Sequence, residues 1–277
     1  MNVPQNPATW QLYWISIWAS LPAIAFAFAG AVMNLAPERL FNKPVALILT
    51  LGAIWFVVLI NLRGVKAAGI FAEVTTYTKL MPFAAIALVG LFYVRSENLS
   101  EFNPSGESLL DSFAALAPLT MFAYLGLESA TVPAGDVRDP QRTIPRSTII
   151  GISVAALLYV LGTVVVFGVV PRQGLVNSVA PFSDAARLMW GAWGAGLVAI
   201  AVIISSIGAL NGWTLMMGQV PMAAAQDGVF PPVFGRLSRR RVPAVGIVLS
   251  AVLATGLVAF QALGSPACVP STTSWSA

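Results

Sequence analysis

Glu128 is a carboxylate set inside a run of residues that would otherwise cross a bilayer. The stretch MFAYLGLESATVPAGDVRDPQRTIP, residues 121–145, places Gly126, Glu128, Ser129, Pro133 and Gly135 where a quiet membrane helix would carry Leu and Val. A charge at bilayer depth is costly, so it must face a cavity, a partner or a ligand. A helix that breaks there leaves main-chain groups that protein, water or substrate must satisfy. The residues suggest unwound main chain at Gly126 and Leu127, with Ser129 capping the half-helix that follows. The positive end of that half-helix would attract an anionic group such as a substrate carboxylate. Glu128 would then act as a gate, a proton site or the partner of a substrate cation; the alternative is a structural ion pair with another helix.

Lys79 is the second ionisable group at depth. It precedes the apolar run LMPFAAIALVGLFYV and lies more than one helical turn after Glu73. A desolvated ammonium there could exchange a proton during transport. A lysine snorkelling to the interface would look the same in sequence. Aromatic rings that could stack on a cation fall at Tyr13, Trp14 and Trp18, at Phe122 and Tyr124, and at Trp213. Trp14 and Trp18 read as interface anchors. Trp213 follows a Ser-Ser-x-Gly-x-x-Asn-Gly run in mid-span, where it could line a cavity; such small residues also permit close helix packing. With no histidine and one cysteine, Cys268, the chain lacks the commonest general base and any thiolate metal site, and no cofactor or metal is implied. No P-loop, GxGxxG, HExxH or nucleophile elbow is present, which sets an enzyme aside.

The elements that must position these groups are membrane helices. Of the 277 residues 57% are hydrophobic and only 9% charged, too few charges to cover a soluble domain. Residues 1–37, 44–62, 147–171, 188–226 and 242–277 contain no Asp, Glu, Lys or Arg. Several of these runs exceed the roughly 20 residues a spanning helix needs. The fold class expected is therefore an all-α integral membrane protein. Seven spans are expected, near residues 10–35, 44–62, 68–94, 109–135, 147–171, 193–216 and 243–263, with a short interfacial helix at 181–190. Residues 264–277, rich in Ser, Thr and Pro, are expected to be a disordered tail. The connections after the second, fourth and sixth spans hold nine Lys and Arg, against five after the first, third and fifth. The positive-inside rule then places the amino terminus in the cytoplasm, and the net charge of +4 reads as topology, not as nucleic-acid affinity.

Two motifs carry a resemblance. FAYLGLESATVPAGDVRDPQRTIPRSTIIG is similar to the sixth helix and following loop of amino acid permeases of the amino acid–polyamine–organocation superfamily. SSIGALNGWTLMMGQVPMAAAQDGVFPPVFGRL is similar to their eighth helix and cytoplasmic loop. The similarity is closest to the basic amino acid/polyamine antiporters and runs from about residue 10 to residue 260. It implies a LeuT-like fold of five-plus-five inverted repeats, usually twelve helices, of which these spans match the third to the ninth. The family's first helix, which supplies half of the substrate site, has no counterpart here, so the stretch is expected to be an inactive fragment truncated at both ends. The resemblance implies substrate contacts at Phe122, Leu125, Gly126 and Trp213, and gating or proton coupling at Glu128, Lys79 and Tyr13. Phe122 stands where the arginine exchangers have a Trp and Leu21 where they have an Asn, which points away from arginine. Lys79 matches a lysine of proton-coupled relatives. The partners implied are an amino acid or polyamine, protons, plasma-membrane lipid and a second copy in a dimer. The competing expectation is a scaffold or receptor-like remnant that kept the fold and lost transport.

Overall fold

The computed structural model describes residues 7–35, 42–99, 108, 110–114, 116–117, 137–176, 178 and 180–264. Every regular element among them is helical. In chain order these are α1 (Pro7–Leu35), α2 (Lys43–Leu62), α3 (Val65–Val89), α4 (Pro140–Val169), α5 (Arg172–Val176), α6 (Pro181–Trp190), α7 (Ala192–Gln226) and α8 (Ala244–Gly264). Six helical runs among the described residues are long and apolar enough to cross a membrane, built on α1, α2, α3, α4, α7 and α8. Helices are what hydrocarbon permits, because each backbone polar group is then satisfied within its own segment. The span expected at 109–135 lies mostly outside the described residues, as does the tail from residue 265. Two helices run past their expected limits. Helix α4 starts at Pro140, where the missing N–H of proline costs nothing at a helix start, and α7 continues ten residues beyond 216 to Gln226.

The chain divides into two compact units. The first comprises residues 1–80 and 199–277, the second residues 81–198. In the first, α1, α2 and α8 pack on one another around Ile17, Leu21, Ile54, Val57, Val58, Ile247, Ala251 and Val258, all of them fully buried. Helix α2 begins under an Asn42 cap, whose side-chain oxygen accepts from Val45 N at 2.9 Å. It ends in a tight elbow, where Gly64 N donates to Asn61 O at 3.1 Å and Gly64 takes a φ of +131°. Any other residue would be strained at that angle.

A close helix contact of the first unit joins α7 to α8. A Cβ on Gly246 would lie 3.0 Å from the Met217 carbonyl oxygen and 3.1 Å from the Gly218 Cα. Pro221, four residues after Met217, has no N–H to bond that carbonyl, so α8 meets α7 where the α7 ladder is open. The second unit packs α4 and α6 on the end of α3 around Ile86, Val165, Val169, Ala185 and Met189. Arg95 N and Asn98 Nδ2 both donate to Gly168 O, at 2.9 Å each, and hold the turns after α3 against α4.

Candidate functional site

Of the expected site residues, Tyr13, Lys79 and Trp213 fall within the description and all three belong to the first unit. Phe122, Leu125, Gly126 and Glu128 lie outside the described residues. Tyr13 sits near the start of α1, half-buried, next to Trp14. The Trp14 indole N–H donates to Ser250 Oγ at 2.8 Å, and its ring meets Phe230 and Phe234 edge-on at 5.5 and 5.6 Å. Trp14 thus ties α1 to α8 and to the loop after α7 inside the unit, a role more internal than the interface anchor that sequence suggested. Trp18, one turn on, has its Nε1 buried with no hydrogen-bond partner.

Lys79 stands fourteen residues from each end of the helical run Val65–Tyr93, half-buried, with no hydrogen bond or ion pair to a described residue. Ala68, Ala72 and Thr75 precede it at helical spacing, so these four positions share one side of α3. That side meets α7. A Cβ on Gly208 would lie 2.7 Å from Thr75 Oγ1, so the two helices cross where α7 has no side chain. Thr75 spends its hydroxyl on the carbonyls of Phe71 and Ala72, at 2.9 and 3.0 Å, and presents no free donor to the crossing.

One turn along α7 lies a pair of amides that sequence reasoning passed over. Asn61 Nδ2 donates to Asn211 Oδ1 at 3.0 Å and to Val57 O at 2.9 Å. Asn211 Nδ2 in turn donates to Ala68 O at 3.0 Å. Both side chains are 1% exposed. The available signal was an Asn in the middle of a charge-free run, since an amide at bilayer depth needs a partner. Trp213 follows two positions later, half-buried, its ring free of hydrogen bonds and ring contacts to described residues. In the second unit a groove of about 640 Å³ is lined by Met81, Pro82, Ala85, Trp190, Trp193 and Leu197. It has no charged wall and could not neutralise an amine.

Lys79 and Trp213 are thus carried on two apolar helices, α3 and α7, that cross at Gly208. Comparison with known proteins decides the family: residues 6–275 match a sequence model described as amino acid permease. The chain belongs to that family. Among curated proteins the chain is 27% identical over 246 residues to the putrescine transporter PotE of Escherichia coli (strain K12), a match covering 88% of this chain and 56% of that carrier. It is 29% identical over 254 residues to the cadaverine/lysine antiporter of the same strain, covering 89% and 56%. A third similar protein is the putrescine transporter PotE of Haemophilus influenzae, 28% identical over 244 residues. The chain spans about half the length of the curated relatives it matches. Its described helices and its family make it a multi-pass membrane protein.

Proposed function

We propose that these residues belong to a secondary carrier that exchanges amino acids or polyamines by alternating access, in the plasma membrane and with a cytoplasmic amino terminus. The observation that carries the reading is the family match across residues 6–275, joined to relatives whose names specify putrescine, cadaverine and lysine. All three are primary amines, which suit a site that carries an indole and a gating carboxylate. The resemblance assigns substrate contacts to Trp213, Phe122, Leu125 and Gly126. Glu128 gates, Tyr13 lines the exit path and Lys79 couples proton movement to transport.

The 277 residues alone are expected to carry out no exchange, since they span only about half the length of the curated relatives they match. The test is counterflow of labelled putrescine or lysine in proteoliposomes. One arm holds this chain, and the other the same chain completed with the remaining segments of the E. coli putrescine transporter. The expected result is saturable exchange in the second arm and only leak in the first. Saturable exchange by the chain alone would show that its own residues complete the site; no exchange in either arm would count for a non-transporting scaffold.

Orientation has its own test. With Cys268 replaced by Ser, a cysteine at Ser96 is expected to react with an impermeant maleimide in intact cells, and one at Ser238 only after permeabilisation. The basis is the nine-to-five distribution of Lys and Arg between the two sides. Labelling of Ser238→Cys from outside would reverse the orientation.

A further inference from the structure

We infer that Asn211 is a positioning residue: its side-chain amide clamps both arms of the α2–α3 elbow and sets which way α3, and with it Lys79, faces. One oxygen and one nitrogen of the same amide reach the two arms. Oδ1 accepts from Asn61, in the last turn of α2, and Nδ2 donates to the main-chain oxygen of Ala68, in the first turn of α3. Between those two points the chain turns through Arg63 and Gly64.

The acceptor on α3 is a backbone atom. The bond therefore holds the axis and rotation of the helix itself, whatever its side chains do. Lys79 is eleven residues after Ala68, close to three full turns, so a rotation of α3 at Ala68 carries Lys79 round by the same angle. At the crossing with Gly208 the Thr75 hydroxyl bonds carbonyls of its own helix, so the hydrogen bond from α7 to α3 is made at Ala68.

The pair is also poorly arranged for stability alone. Asn61 Oδ1 is buried and accepts no hydrogen bond from a described residue, a penalty that an apolar pair of similar shape would avoid. A buried amide kept despite an orphan oxygen is better explained by the geometry it imposes. The functional meaning rests on the coupling role given above to Lys79, but the geometry does not, and the two can fail separately.

The chain has three lysines, Lys43, Lys66 and Lys79. Reductive methylation with 13C-formaldehyde, on the chain in lipid nanodiscs, gives each a methyl resonance, assigned by single Lys→Arg variants. Asn211→Leu is expected to displace or broaden the Lys79 resonance and to leave that of Lys43, outside the elbow, in place. Asn61→Leu removes one of the two bonds and is expected to displace it less, in the same direction; it carries the test should Asn211→Leu fail to fold. Thr214→Val, which loses a buried hydrogen bond internal to α7, is expected to leave Lys79 unmoved. A wild-type Lys79 resonance in the folded Asn211→Leu or Asn61→Leu chain overturns the inference. So does an equal displacement by Thr214→Val, which would mark Asn211 as one more buried polar contact.

Discussion

Gly246→Leu is expected to cost the first unit about 3 kcal/mol, the upper end of what overpacking typically exacts. The reason is what stands opposite. Even a single Cβ at this position would lie 3.0 Å from the Met217 carbonyl oxygen and 3.1 Å from both the Gly218 Cα and the Pro221 ring. Two of those neighbours are main chain and the third is a closed ring, so none can swing aside as a flexible side chain would. Helix α8 must instead move away from α7. That movement would pull on Ser250, one turn further on, and on its 2.8 Å bond from Trp14. Gly256, on the same helix, has nothing within 4 Å of an added Cβ. There the new Cβ has room, and the change replaces a residue that costs a helix about 1 kcal/mol relative to Ala, so Gly256→Leu is expected to be neutral or mildly stabilising. Thermal unfolding of the two variants in detergent, followed by tryptophan emission, separates them. Equal midpoints would mean that the α7–α8 contact is not as close as the structure has it.

The parts of this molecule legible in its sequence are those that hydrocarbon dictates locally. A charge-free run such as 188–226 has no choice but to be helical if it is to lie in a bilayer, so the all-α membrane class could be read directly. The family was legible because its two motifs are local strings. Helix ends were less so. Helix α7 passes Pro221 and reaches Gln226 because a helix leaving the membrane need not stop there, and hydropathy alone does not mark where it does.

Long-range partners were the least legible. Asn61 and Asn211 are 150 positions apart, and Trp14 and Ser250 236 apart. Nothing in either local sequence specifies the other residue, so Trp14 looked like an interface anchor and Asn211 like one polar atom in a packing stripe. Which residue pairs with which is settled by how the helices cross. Gly208 and Gly246 show how: each marks a place where a neighbouring helix comes too close for a side chain.

Lys79→Ala, made in the completed carrier, is expected to abolish accumulation driven by a pH gradient while leaving counterflow exchange in place. If one proton moves with each substrate, a gradient of one pH unit is worth about 1.4 kcal/mol and supports roughly tenfold accumulation. Removing the group that takes up and releases the proton should return that ratio to about one. The substrate contacts proposed for Trp213, Phe122, Leu125 and Gly126 should be untouched, so labelled substrate still exchanges at equal pH. The position of Lys79 favours this outcome over simple anchoring: it stands at the middle of the helical run Val65–Tyr93, either end about 21 Å away at 1.5 Å per residue. Its side of α3 is the one that Thr75 packs against Gly208 and that Asn211 grips at Ala68. A lysine serving as a snorkelling anchor would be nearly dispensable. Accumulation measured against an imposed gradient, alongside counterflow at equal pH, distinguishes the roles. Wild-type accumulation by Lys79→Ala would make Lys79 an anchor and send the search for the proton site to Glu128, while loss of both activities would place Lys79 in substrate binding or in the fold itself.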